Sequence, residues 1–158
     1  MIELEKLENL ARKIPIEEVL RKHDWREFEE IVAEIFRRNE FTVKKNFRFK
    51  TRKRHEIDVL SVKGDLAICV DCKRWLGGRH KKAGLKKAVE EQEKRVRLLK
   101  NFLKRNPIAM QMLRIEPGCK FYSLIVTLME EEILQEKNTF IVPIFKLNSF
   151  LLELEAYL

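Results

Sequence analysis

Apolar residues along this chain fall into helical and strand periods in an ordered succession. Residues 2–22 (IELEKLENLARKIPIEEVLRK) space Ile, Leu and Val at helical intervals. They predict one or two short amphipathic helices broken near Pro15, whose ring offers no N–H to the ladder. Asp24 and Glu27 form a capping box that opens a helix over residues 25–38, with Asn39 as its left-handed stop. Residues 41–49 (FTVKKNFRF) alternate as a strand and the polar tip KTRKRH follows. Two more strands are expected near 56–62 and 66–73, with Lys63-Gly64 as the turn between them. After Gly77-Gly78 the pattern turns helical from about residue 85 to 105 and ends before Pro107. FYSLIVTLM and TFIVPIF are further strands, and LNSFLLELEAYL is a closing helix. The order helix, three strands, helix, strand, strand, helix fits an α/β fold with a mixed sheet flanked by helices.

Chemistry enters on the second and third strands. EIDVL sets Asp58 on one, and AICVDCKRW sets Asp71 and Lys73 on the next. Side chains alternate faces along a strand, so Asp71 and Lys73 point the same way. In an antiparallel hairpin Asp58 joins them. Two carboxylates and an ammonium at one spot are what holding a divalent metal and activating a water against a phosphodiester requires. The plainer alternative is a salt bridge across a solvent-facing hairpin, worth about 0–1 kcal/mol. It leaves unexplained why Asp71 follows LAICV, apolar on both faces like a central buried strand.

Glu29 has Trp25, Val32, Ala33 and Phe36 at helical spacing around it, so its carboxylate sits within or beside the stripe expected to face the core. A carboxylate there needs a cation, metal or hydrogen-bond partner, unless it reaches water past Trp25. Glu30, with Arg26, Glu27 and Glu34 around it, reads as a surface residue.

FEEIVAEIFRRNEFTV, HEIDVL and CVDCKRW together resemble the PD-(D/E)XK nuclease superfamily, and within it the Mrr-type restriction endonuclease-like domains, with archaeal Holliday junction resolvases as relatives. The resemblance spans residues 25–89 and implies a restriction endonuclease-like αβββαβ core with extra N-terminal and C-terminal helices. It implies Asp58 as the second-motif metal ligand, Asp71 and Lys73 as the D-x-K, and Glu29 as the helix glutamate. Asp58 and Asp71, with the backbone carbonyl of Cys72, would hold Mg²⁺ (Mn²⁺ as a substitute), Lys73 would orient or deprotonate water, and Glu29 would serve a second metal or a bound water. Ile57 stands where the superfamily has proline. Asp71 stands where Mrr-type domains often carry glutamine, which places this site closer to the general nuclease form. The implied function is a metal-dependent DNA endonuclease of restriction or of repair and recombination, acting as a homodimer that supplies two sites. The alternative is a non-catalytic nucleic-acid-binding module on the same fold. A third reading uses Leu151, Leu152, Leu154 and Leu158 of the last helix in a dimer, or simply to close the core.

The net charge of +8 agrees with a polyanionic partner. KKNFRFKTRKRH, from Lys44 to His55, carries seven Lys or Arg around Phe47 and Phe49. Lys50, Arg52, Lys53 and Arg54 of this arm, and Arg79, Lys81, Lys82, Lys86 and Lys87 of RHKKAGLKK, are the candidate DNA-backbone contacts. Gln92 is an auxiliary site candidate by loose similarity, although a helix glutamine is ordinarily solvent-facing. Glu90 and Glu91 read as i,i+4 partners of Lys94 and Arg95. Cys69 and Cys72 have C-x-x-C spacing, but residues three apart on a strand face opposite sides and cannot close on one metal. His23, His55 and His80 are scattered, and no phosphate-cradling G-x-x-x-x-G-K-[ST] is present. At 158 residues one domain is expected, with 1–23 as an N-terminal helical extension and 24–158 as the core. Three cysteines, no secretory segment and no long apolar run point to the cytoplasm and away from the membrane.

Overall fold

A computed structural model describes residues 25–74, 82–128 and 132–158. The expected N-terminal helical extension, Asp24 of the expected capping box, His23, His80, Arg79 and Lys81 lie outside those residues.

Helix α1 (Trp25–Arg38) buries Phe28, Ile31, Val32, Ile35 and Phe36 along one stripe. Its end differs from the expected one. The left-handed residue is Glu40, at φ 68, not Asn39. The N–H of Phe41 donates to the Phe36 carbonyl at 3.1 Å and that of Glu40 to the Arg37 carbonyl at 3.0 Å, a Schellman closure. Phe41 then packs edge-on against Phe36, with ring centroids 5.2 Å apart. Asn39 serves the cap through its side chain, donating to the Ile35 carbonyl at 2.8 Å.

Strands β1 (Thr42–Lys50), β2 (Arg54–Lys63) and β3 (Leu66–Lys73) run antiparallel in succession. Lys63 ends β2, and the turn passes through Gly64 at φ 59 and Asp65 rather than Lys63-Gly64. Helix α2 (Lys82–Lys104) crosses one face of the sheet and returns the chain for β4 (Lys120–Thr127), parallel to β3. Two elements escaped the sequence pattern. They are α3 (Pro107–Met112), which Pro107 opens at a position where its missing N–H costs nothing, and the three-residue β5 (Leu134–Glu136). Strand β6 (Thr139–Pro143) lies parallel to β4, and the six-stranded order is β1-β2-β3-β4-β6-β5. The expected closing helix is two pieces, α4 (Ile144–Leu152) and α5 (Leu154–Tyr157). The αβββαβ order of the expected core is therefore present, in a mixed sheet with helices on both faces.

The two faces hold separate apolar clusters. Val59, Ile68, Val70, Cys72, Leu124 and Val126 meet α1 and α4 on one side. Leu60, Val62, Ala67 and Cys69 meet Val96, Leu99 and Leu103 of α2 on the other. Strand β3 is thus buried on both faces, as LAICV implied. Leu151 is buried and closes the core, whereas Leu152 is exposed. No helix among the described residues is long and apolar enough to cross a membrane.

Candidate active site

The site forms where β2 and β3 part. Their pairing runs from Lys63↔Leu66 to Val59↔Val70 and stops, so Asp58 and Asp71 face each other one step beyond the last pair. Freed from a β2 backbone partner, the Cys72 N–H donates instead to Asp58 Oδ2 at 3.0 Å. Burial pushes the Asp58 carboxyl up to about 7; the neighbouring negative charges of Asp71 and Glu29 add to the shift and the Cys72 N–H opposes it.

Asp71 is 7% exposed. Its Oδ2 lies 3.3 Å from Lys73 Nζ and 3.5 Å from Arg95 Nη2. Neither contact has hydrogen-bond geometry, so this buried oxygen and Arg95 Nη2 are both left without a hydrogen bond. The structure thus joins Asp58, Asp71 and Lys73. A surface salt bridge is the wrong description, because the aspartate is almost fully out of water.

Glu29, also 7% exposed, approaches from α1. Asn46 Nδ2 donates to its Oε2 at 3.2 Å and to Glu56 Oε1 at 2.9 Å. Glu30 beside it pairs with Lys45 and, at 2.9 Å, with Arg37, which hold its carboxyl below the usual range despite the opposing pull of burial.

The structure adds Arg95 and Asn46 to the surroundings of the acids and buries the auxiliary candidate Gln92. Arg95 turns to Asp71 instead of Glu91, and Glu90 pairs with Lys137 at 3.2 Å, across to the β5–β6 turn. Gln92 is 1% exposed rather than solvent-facing. It donates to the Cys69 carbonyl at 2.9 Å and accepts from Arg95 Nε at 3.0 Å. The available signal was position. Gln92 follows Ala88 and Val89 by a helical turn, so it falls on the stripe that packs against the sheet. For Asn46 the sequence signal is a poor strand former inside a strand.

The donors suit a small hard cation. Among the described residues no three acidic, histidine or cysteine side chains form a metal cage by themselves. Mg²⁺ does not need one, since it keeps several waters and takes one or two carboxylates together with phosphate oxygens. The buried Asp71 Oδ2 without a hydrogen bond is a lone pair available to such an ion.

Of the basic candidates, Arg52, Lys53 and Arg54 are exposed at the β1–β2 tip, and Lys86 and Lys87 are exposed on α2. Phe49 is 5% exposed, with its ring 5.4 Å from Phe102, and Phe47 stacks on it, so the aromatics anchor the arm. Lys50, Arg52, Lys53 and His55 face Lys94 of α2 and Arg105 just beyond its end across a groove of about 760 Å³, with no carboxylate among the described residues that line it. A larger hollow, about 1060 Å³, lies by Lys63, Lys120 and Leu154. It is at the opposite end of β3 from Asp71, away from the acids.

An uncharacterized protein of Archaeoglobus fulgidus is 27% identical over 135 residues, covering 85% of this chain and 94% of the relative. The family model described as a restriction endonuclease, of the Mrr catalytic type, matches residues 20–100. That span is just over half of the chain and carries α1, the first three strands and most of α2, with every acid described above. On that match the protein belongs to the Mrr-type restriction endonuclease family.

Proposed function

We propose that this protein is a divalent-metal-dependent endonuclease that hydrolyses DNA phosphodiester bonds, in restriction or in repair and recombination. The observation that carries the proposal is the convergence of Asp58, Asp71 and Lys73 where β2 and β3 separate, with the Asp58 carboxylate fixed by the Cys72 N–H.

Asp58, Asp71 and the Cys72 carbonyl would hold Mg²⁺ or Mn²⁺, which when bound polarises a phosphate oxygen and makes water a stronger nucleophile. Lys73, at the rim of the site and about a third exposed, donates to the attacking water or to a phosphate oxygen and so orients the two for in-line approach. Arg95 offers a second positive charge to the pentavalent transition state. Glu29, held by Asn46, would serve a second ion or a bound water at the edge of the site. The carboxylate-free groove lined by Lys50, Arg52, Lys53, Lys94 and Arg105 supports a polyanionic substrate held by phosphate contacts. Cutting both strands takes two such sites, which a homodimer supplies.

The test is cleavage of plasmid and four-way branched DNA in Mg²⁺ or Mn²⁺, with EDTA and Asp71→Ala as controls. Metal-dependent cutting that Asp71→Ala abolishes supports the proposal. DNA binding without cutting would leave only the non-catalytic binding module.

A further inference from the structure

Among the described residues, the non-glycine positions with positive φ are Glu40, Asn46, Arg114 and Lys137, and only Asn46, at φ 51, lies within a strand. A left-handed residue inside a strand is unfavourable, and asparagine is among the few side chains that tolerate it. Its place is not arbitrary. The β1–β2 register runs Lys45↔Val59 and then Phe47↔Ile57, so Asn46 and Asp58 face each other without joining the ladder.

The same joint re-aims the hairpin. Val43 and Val59 pack in the cluster on the α1 side, whereas Phe47, Phe49 and Ile57 pack in the cluster on the α2 side. Residues two apart in a regular strand share a face. The alternation is therefore reversed across Asn46 and Asp58.

A glycine would satisfy this backbone more easily than asparagine. The residue present adds an amide that binds two carboxylates at once, Glu29 Oε2 at 3.2 Å and Glu56 Oε1 at 2.9 Å. Both partners are acceptors, so the nitrogen, and not the oxygen, of the amide must face them. Helix α1 and strand β2 are thereby tied together next to the acid pair.

We propose that Asn46 is a positioning residue of the metal site, acting through Glu29. Its left-handed backbone forms the joint that carries Asp58, and its amide holds the Glu29 carboxylate at the edge of the site. The inference rests on the nuclease proposal for its activity readout, so direct Mn²⁺ binding is measured beside cleavage.

Asn46→Gly separates the two roles, since it keeps the backbone and deletes the amide. The variant is expected to melt within about 3 °C of wild type. Its Mn²⁺ affinity falls about tenfold, the usual effect of losing a group that orients a metal-binding carboxylate. The Mg²⁺ concentration for half-maximal cleavage rises in step while KM for DNA is unchanged. In a Glu29→Ala background the same substitution has no further effect on Mn²⁺ affinity. Asn46→Ala, which keeps a Cβ in the left-handed region without the polar side chain that lets asparagine tolerate it, lowers the melting temperature as well.

Wild-type Mn²⁺ affinity in Asn46→Gly would overturn the inference, leaving Asn46 a backbone device only. Losses that add fully to those of Glu29→Ala would overturn it too. A wild-type protein that binds Mn²⁺ but cuts no DNA defeats the nuclease proposal alone, and the isotherms still decide the role of Asn46. A wild-type protein that binds no Mn²⁺ defeats both.

Discussion

Arg95 on α2 reaches Asp71 at the end of β3, with Nη2 3.5 Å from Oδ2, and Gln92 aims it there. Gln92 is itself fixed by its bond to the Cys69 carbonyl, two residues before Asp71 on the same strand. A backbone carbonyl of the sheet, a buried amide and a guanidinium thus form a chain ending at the proposed metal ligand. With Lys73 against the same oxygen, Asp71 has two cations standing where a divalent ion would offset the same charge.

Arg95 and a metal therefore compete for one carboxylate. Arg95→Gln is expected to tighten Mn²⁺ binding about threefold to tenfold, because a like charge beside the ligand is removed. Without metal the variant is expected to lose about 1–3 kcal/mol, since the charge on buried Asp71 is then offset by Lys73 alone. Urea denaturation with and without Mn²⁺ reads both effects. Unchanged or weaker Mn²⁺ affinity in the variant would show that Arg95 does not compete with the ion.

Asp58 sets a pH dependence with a definite sign. Its carboxyl titrates near 7 in the fold, against about 3.9 in the unfolded chain. Between those values the folded protein keeps a proton that the unfolded chain has lost, so stability falls as pH rises through this window. Asp58→Asn cannot lose that proton. In EDTA it is expected to match wild type near about pH 4 and to exceed it above about pH 7 by on the order of 1–3 kcal/mol. Saturating Mg²⁺ reverses the order at high pH, because the ion favours the ionised acid. Denaturation midpoints that run parallel across the range would rule out a raised Asp58 titration.

The core strands and the acids were legible because each follows a local rule. Alternation gave β1 to β3, apolarity on both faces marked β3 as central, and spacing set Asp71 and Lys73 on one side. Glu29 was visible as a carboxylate on an apolar stripe. What stayed hidden depends on contacts between distant segments. Arg95 has acidic residues at helical spacing, and only the packing of α2 on β3 shows that Asp71 outcompetes them. The joint at Asn46 and Asp58 leaves no mark on the alternation of polar and apolar residues, because both strands reverse together. Helix α3 and strand β5 are too short for a period to show.

Gln92 is fully buried, and its amide serves two partners, so an apolar replacement of similar size loses both. Gln92→Leu is expected to cost about 1–3 kcal/mol, mostly from the Cys69 carbonyl and the Arg95 guanidinium left without this amide. Gln92→Met has comparable volume and should cost the same, which separates hydrogen bonding from packing. Urea midpoints of the two variants provide the comparison. A loss in only one of them would assign the effect to shape instead.

The three cysteines are expected to differ sharply in reactivity. Cys69 packs on the α2 side of β3 and Cys72 on the α1 side, so the C-x-x-C pair cannot meet on one metal or in one disulfide. Burial pushes the Cys69 thiol up to about 12 and Cys72 well above its usual range, the latter also because Asp58, Glu29 and Asp71 are near. Cys119 is raised as well, chiefly by burial, but is only half-buried. Since the thiolate is the reactive form, an aromatic disulfide reagent at about pH 8 should modify Cys119 at least tenfold faster than the other two. Cys119→Ser should abolish the fast phase, and denaturant should restore full reaction of Cys69 and Cys72. A second fast thiol in the folded protein would mean that β3 opens to solvent, and with it the wall on which Asp71 stands.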